Sequence, residues 1–146
     1  MANPIGNPPF RGIVQYINPD GLLKNPSFTQ LAVISGPVKT VYIGMQNAVD
    51  ASRNIIGKDD IAAQTEQVLK NIDICLEAAG ARPEHIVQWN IYVVQGQPIQ
   101  PAFSVGERWL GNRPNPPLNS VIIVAGFVPP DFLVGIDAIA VVPLPL

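Results

Sequence analysis

The chain has 146 residues, with 9 Lys and Arg against 11 Asp and Glu, a net charge of −2. That length suits one domain; 47% hydrophobic and only 14% charged residues exclude a disordered chain and leave apolar material for a subunit interface. The acidic balance argues against an electrostatic nucleic-acid binder.

Proline punctuates the chain: the 16 prolines are about twice the usual share of roughly 5%. Pro4, Pro8 and Pro9 mark a Pro-rich arm over residues 1–11, expected to be flexible and to precede a single domain. Three short β-like segments follow, Gly12 to Tyr16, Gln30 to Ser35 and Thr40 to Gly44. Ser35-Gly36-Pro37 predicts a hairpin between the last two. Asp59 to Ala79 reads as a helix: Ile61, Val68, Ile72, Cys75, Leu76 and Ala79 recur at three- and four-residue steps. Asp59 and Asp60 suit its start and Gly80 its end. His85 to Val94 is a long strand, Pro101 to Leu110 a second helix, and Asn119 to Ala125 and Phe132 to Val142 two apolar strands.

The order β-β-β-α-β-α-β-β predicts an α+β fold, a sheet with two helices on one face. The other face is expected to be bare and apolar. The last two strands are apolar at nearly every position, so both their faces should be covered. With no third layer in the chain, a second copy is the expected cover.

Few residues carry chemistry unaided. Cys75, within the apolar helix stripe, reads as a small buried hydrophobe. His85, in Pro83-Glu84-His85, reads as an exposed turn residue. One cysteine and one histidine exclude a disulfide framework and a His-based zinc site within the chain. Trp89 and Tyr92 fall on opposite faces of one strand, and Trp109 lies on the second helix beside charges expected to face solvent. Each aromatic is either core or a ligand-lining group. No G-x-S-x-G, P-loop or G-x-G-x-x-G stretch is present. No apolar run reaches the roughly 18–20 residues of a membrane span. Met1 to Pro9 lacks a signal-peptide core. A cytoplasmic protein without membrane or nucleic-acid partners is expected.

Three stretches carry a resemblance. Val41-Tyr42-Ile43-Gly44-Met45-Gln46, Asp60 to Ile72 followed by Leu76-Glu77-Ala78-Ala79-Gly80, and Ile136-Asp137-Ala138-Ile139-Ala140-Val141 resemble the RidA family, also called the YjgF family. Pro117-Leu118-Asn119-Ser120 falls where the family's signature begins, and the likeness spans about residues 25–143. The resemblance implies a chorismate-mutase-like fold and a homotrimer whose sheets face inward as a barrel, with small-molecule clefts between subunits. It also implies hydrolysis of enamine and imine acids such as 2-aminoacrylate, an arginine that clamps the substrate carboxylate, a glutamate that positions water, and no cofactor or metal.

The chain departs from that pattern. Asn119 stands at the arginine position and lacks the guanidinium fork. Gly135 stands at the glutamate position. Met45, in Gly44-Met45-Gln46, puts a thioether where the family has bare backbone, and Phe28 replaces a tyrosine. Together with Trp109, these residues form the expected substrate site. Asn119 and Asp137, which shares a strand side with Gly135, are the candidate catalytic groups. The departures weaken the usual deaminase activity and favour a neutral, apolar or aromatic substrate. A non-catalytic binding or stress-response module, and the ribonuclease and translation-inhibitor role attributed to the family, are the other classes; the acidic balance speaks against the last.

Overall fold

The computed structural model describes residues 11–145. Six strands and two helices follow the expected order: β1 (Ile13–Ile17), β2 (Leu31–Ser35), β3 (Val38–Gln46), α1 (Ile61–Ala78), β4 (Ile86–Val94), α2 (Gln100–Leu110), β5 (Leu118–Val124) and β6 (Val134–Pro143). The expected arm falls outside the described residues except for Arg11. The strands form a four-stranded mixed sheet, ordered β3-β6-β4-β5, and a separate β1-β2 ribbon. Only β4 and β5 are parallel; β3-β6 and β4-β6 are antiparallel. Both helices pack on one face, an α+β architecture.

The hairpin expected at Ser35-Gly36-Pro37 does not form. β2 pairs with β1 instead, Ile13 opposite Ser35 and Ile17 opposite Leu31, while β3 pairs with β6. Pro37 has no N–H to give a ladder across that turn. Its carbonyl accepts from the Leu144 amide at 3.0 Å, so the turn is tied to the end of β6.

α1 starts where Asp60 Oδ1 accepts from the Ala63 N–H at 3.1 Å. It stops at Gly80, whose φ of +68° suits glycine. Lys39 of β3 donates to the Ala79 carbonyl at that end. The buried stripe of α1 holds Ile61, Val68, Ile72 and Leu76 as expected, and also Leu69, Thr65 and Gln64. Gln64 is fully buried. Its Nε2 donates to the Asp131 carbonyl at 2.9 Å and its Oε1 accepts from the Leu133 N–H at 2.8 Å. The amide thereby fixes the entry to β6 against α1. Cys75 packs half-buried against this core.

Strand alternation sends Trp89, Ile91 and Val93 of β4, with Ile136, Ala138 and Ala140 of β6, into the helix-covered core. The opposite face carries Tyr42, 79% exposed, with Ile122, Ile139 and Tyr92. It is not uniformly apolar: Asn90, Tyr92 and Asp137 form a polar cluster at its centre. β5 is an edge strand, and Val121, Ile122 and Ile123 are exposed on both of its faces within one chain.

Removing the Gln64 amide orphans the buried Leu133 N–H and the part-buried Asp131 carbonyl. Gln64→Leu is expected to lower the unfolding free energy by about 1–3 kcal/mol, read as a fall in urea midpoint. Gln64→Glu, which keeps the acceptor for Leu133, is expected to lower it as well, through a buried carboxylate facing the Asp131 carbonyl.

Candidate functional site

A cavity of about 90 Å³ opens between α2 and the core face of the sheet. Trp89 and Ile91 of β4 and Ile136 of β6 form its floor; Ala102, Phe103 and Leu110 of α2 form its wall. Pro101 lies in the first turn of α2, where its missing N–H costs nothing. Gly111, at φ +65°, ends the helix. Gly106 keeps the wall thin: a Cβ there would stand 3.8 Å from the Trp89 ring. Trp89 is buried, and the Trp109 ring stacks on it at 6.0 Å between centroids, with planes 21° apart. Trp109 Nε1 donates to Asp73 at 3.0 Å, which pins α2 to α1.

The rim is set by two loops distant in sequence. Thr29 Oγ1 donates to the Pro116 carbonyl at 2.7 Å and joins the turn containing Ser27 to the segment entering β5. β5 then presents Asn119, in register with Trp89, toward the cavity. Asn119 Oδ1 is buried and has no hydrogen-bond partner among the described residues. Thr65, also on the lining, donates its hydroxyl proton to the Ile61 carbonyl at 2.7 Å. Glu107 supplies an exposed carboxylate among the lining residues.

Of the residues expected at the site, Asn119 lines this cavity. Phe28 does not, although its neighbour Ser27 does. Trp109 stands behind Trp89, in a groove between the helices. Gly44, Met45, Gln46 and Gly135 lie where β3 meets β6, with the register irregular between Ile43 and Gln46. Met45 sulfur covers Gly135: a Cβ added to Gly135 would lie 2.8 Å from it and 2.9 Å from Asn47 Nδ2. Gln46 Nε2 donates to the Gly44 carbonyl at 3.2 Å. Asp137 shares the outer sheet face with Gly135 and accepts from Asn90 Nδ2 and Tyr92 hydroxyl, both at 2.8 Å. Within one chain, Asn119 and Asp137 thus lie on opposite faces of the sheet.

Two other polar residues are structural. His85 is half-buried rather than exposed: its Nδ1 accepts from the Arg82 N–H at 2.9 Å in the turn before β4. Burial, reinforced by Arg82, lowers its pKa below the usual histidine value. Arg113 does not replace the missing arginine. Its guanidinium donates to the carbonyls of Asn115, Ile86 and Pro83 and to the Tyr16 hydroxyl. Among the described residues, no group of three His, Cys, Asp or Glu is placed to hold a metal ion. No helix there is long and apolar enough to cross a membrane.

The hydrogen bond to Asp137 raises the Tyr92 pKa above 10.0, with burial adding to it. A raised phenol pKa favours the protonated, folded form. The contribution of this pair to stability is expected to be complete below the ordinary tyrosine pKa of about 10 and to fade as pH rises through the higher folded value. Melting temperatures of Tyr92→Phe against the unmodified protein between pH 8 and 11 check this: the gap should shrink at the alkaline end.

The chain matches the Endoribonuclease L-PSP family over residues 23–142. It is 31% identical over 101 residues to a RutC family protein of Pyrococcus horikoshii, covering 68% of this chain and 77% of the relative. A Yersinia pestis protein of the Rid family, YyfB, superposes with a TM-score of 0.73 at 31% identity, over 87% of this chain and 97% of that one. The Escherichia coli YjgF gene product superposes with a TM-score of 0.62 at 27% identity, over 70% and 80% of the two chains. With the family match spanning most of the chain and both solved structures sharing its fold, the protein belongs to the Endoribonuclease L-PSP family, the RidA (YjgF) family that its sequence resembles.

Proposed function

We propose that this chain is a single RidA-like domain over residues 1–146 that assembles as a cytoplasmic homotrimer and acts on a neutral, apolar or aromatic imine, enamine or carbonyl compound at clefts between subunits. One observation carries the reading: an aromatic-walled cavity ends at a neutral carboxamide, Asn119, where the resemblance places a carboxylate-binding arginine. The exposed faces of β5 and the free sheet face supply apolar surface for the other subunits. In such an assembly Asn119 of one subunit would face the Met45–Gly135 edge of another, so residues on opposite sides of one chain would share a cleft.

The chemistry follows from the groups present. In imine hydrolysis, water adds to the C=N carbon and the resulting carbinolamine expels ammonia or an amine, leaving a carbonyl. Asn119 Oδ1 can accept from an imine N–H of the substrate while Trp89 and Phe103 contact its apolar body. Gly135 and the Met45 thioether over it supply no carboxylate for orienting water. That absence favours a second reading, a small-molecule-binding module without turnover. The endoribonuclease named in the family description gains no support from a net charge of −2.

The test is hydrolysis of a neutral aryl imine beside that of 2-iminobutyrate generated by threonine dehydratase. The neutral imine is expected to be accelerated and the imino acid left at its buffer rate. Asn119→Ala is expected to lower kcat/KM for the neutral imine about tenfold, the loss of one hydrogen bond of about 1.4 kcal/mol. Turnover unchanged by Asn119→Ala would contradict the assignment. Binding without turnover would favour the second reading.

A further inference from the structure

We infer that the Asn119 cavity selects a ligand bearing a positively charged, donor-rich nitrogen, an amidinium, ammonium or iminium, on a small aromatic body, and discriminates against carboxylates. This rests on the reading above that the cavity binds small molecules; it keeps the imine class and replaces the neutral form with the protonated, N–H-donating one.

Four features point the same way. Asn119 Oδ1 is a buried acceptor without a donor, a costly state that a ligand N–H relieves. Glu107 is the one ionisable side chain on the lining, and no cation lies within ion-pair distance of it among the described residues. Thr65 has already given its hydroxyl proton to the Ile61 carbonyl, so it offers the cavity only acceptor capacity. Trp89 and Phe103 both line it, and aromatic rings attract cations.

An anion finds no cationic side chain on the cavity's own lining. A neighbouring cavity of about 570 Å³ shares Ser27, Glu107 and Leu110 with this one and is also lined by Arg108 and Arg113. Arg108 is paired with Glu66 at 3.2 Å. Arg113 directs its N–H groups to three carbonyls and the Tyr16 hydroxyl. Arg113 therefore has little left to offer a carboxylate, and Arg108 lies outside this cavity's own lining. The cavity therefore presents acceptors and aromatic rings, the complement of a cationic nitrogen.

Benzamidinium, benzamide and benzoate share a phenyl ring and a similar size and carry charges of opposite sign about a neutral middle member, so they isolate the effect. The protein has two tryptophans, and Trp109→Phe leaves Trp89 as the sole emitter in the cavity wall. Titration of that variant, followed by Trp89 emission and repeated calorimetrically on the unmodified protein, is expected to show benzamidinium binding about tenfold or more tighter than benzoate, with benzamide between. Glu107→Gln is expected to reduce that ratio to about threefold or less, whereas Glu77→Gln, on α1 away from the lining, should leave it intact. Benzoate binding as tightly as benzamidinium, or a ratio insensitive to Glu107→Gln, would overturn the inference. Equal binding of all three would do so while leaving the neutral-ligand reading standing, and no binding by any would overturn both.

Discussion

Side-chain alternation in the β4–β6 pair decides which residues meet the helices and which do not. Trp89 and Ile136 point to the helices, so Asn90, Tyr92 and Asp137 must point the other way. The helices cover one face only. One set of residues therefore encloses a cavity with α2, and the other remains open around the Asp137 cluster. Asn119 falls on the enclosed side because β5 runs parallel to β4 with Asn119 in register with Trp89. Gly135 falls on the open side because it faces Tyr92. A cleft that needs both Asn119 and Gly135 must be built from more than one chain.

A few polar side chains hold these layers in place. The buried Gln64 amide joins α1 to the start of β6. Asn71 Nδ2 donates to the carbonyls of Asn47 and Val49, and Asn47 Nδ2 donates to Val134, tying the chain after β3 to both. Arg113 fastens the loop before β5 to the start of β4 and to Tyr16 of the ribbon. Asn119 is placed by these ties; its own amide oxygen takes no part in them. A polar group positioned by its surroundings but bonded to none of them is what a binding site requires.

The sequence made the element order readable because helix periodicity, capping aspartates and terminal glycines are local signals. The partner of β2 was not readable, because a Gly-Pro turn says where a strand ends and nothing about which strand it joins. Gln64 was missed on the buried stripe because its burial depends on backbone groups 67 and 69 residues away. The cavity was hidden for a similar reason. Ser27, Trp89, Phe103 and Asn119 come from four separate segments, and only the Thr29–Pro116 contact brings the rim together. The family resemblance pointed to Asn119 by alignment of one motif; Glu107, among the charges expected to face solvent, is exposed as expected and also lies on the cavity's lining. The Asp137–Tyr92 hydrogen bond needed the β4–β6 register, which no single strand contains.

On the proposed function, Asn119 and the Met45-covered Gly135 take imino-acid hydrolysis away from a RidA scaffold. The most direct measurement is 2-iminobutyrate hydrolysis by an Asn119→Arg, Gly135→Glu, Met45→Ser variant beside the unmodified protein. The Met45 change is included because a side chain at position 135 would otherwise meet its sulfur at 2.8 Å. A gain of activity in the variant and none in the parent is expected. Acceleration by the parent, with its neutral Asn119, would contradict it.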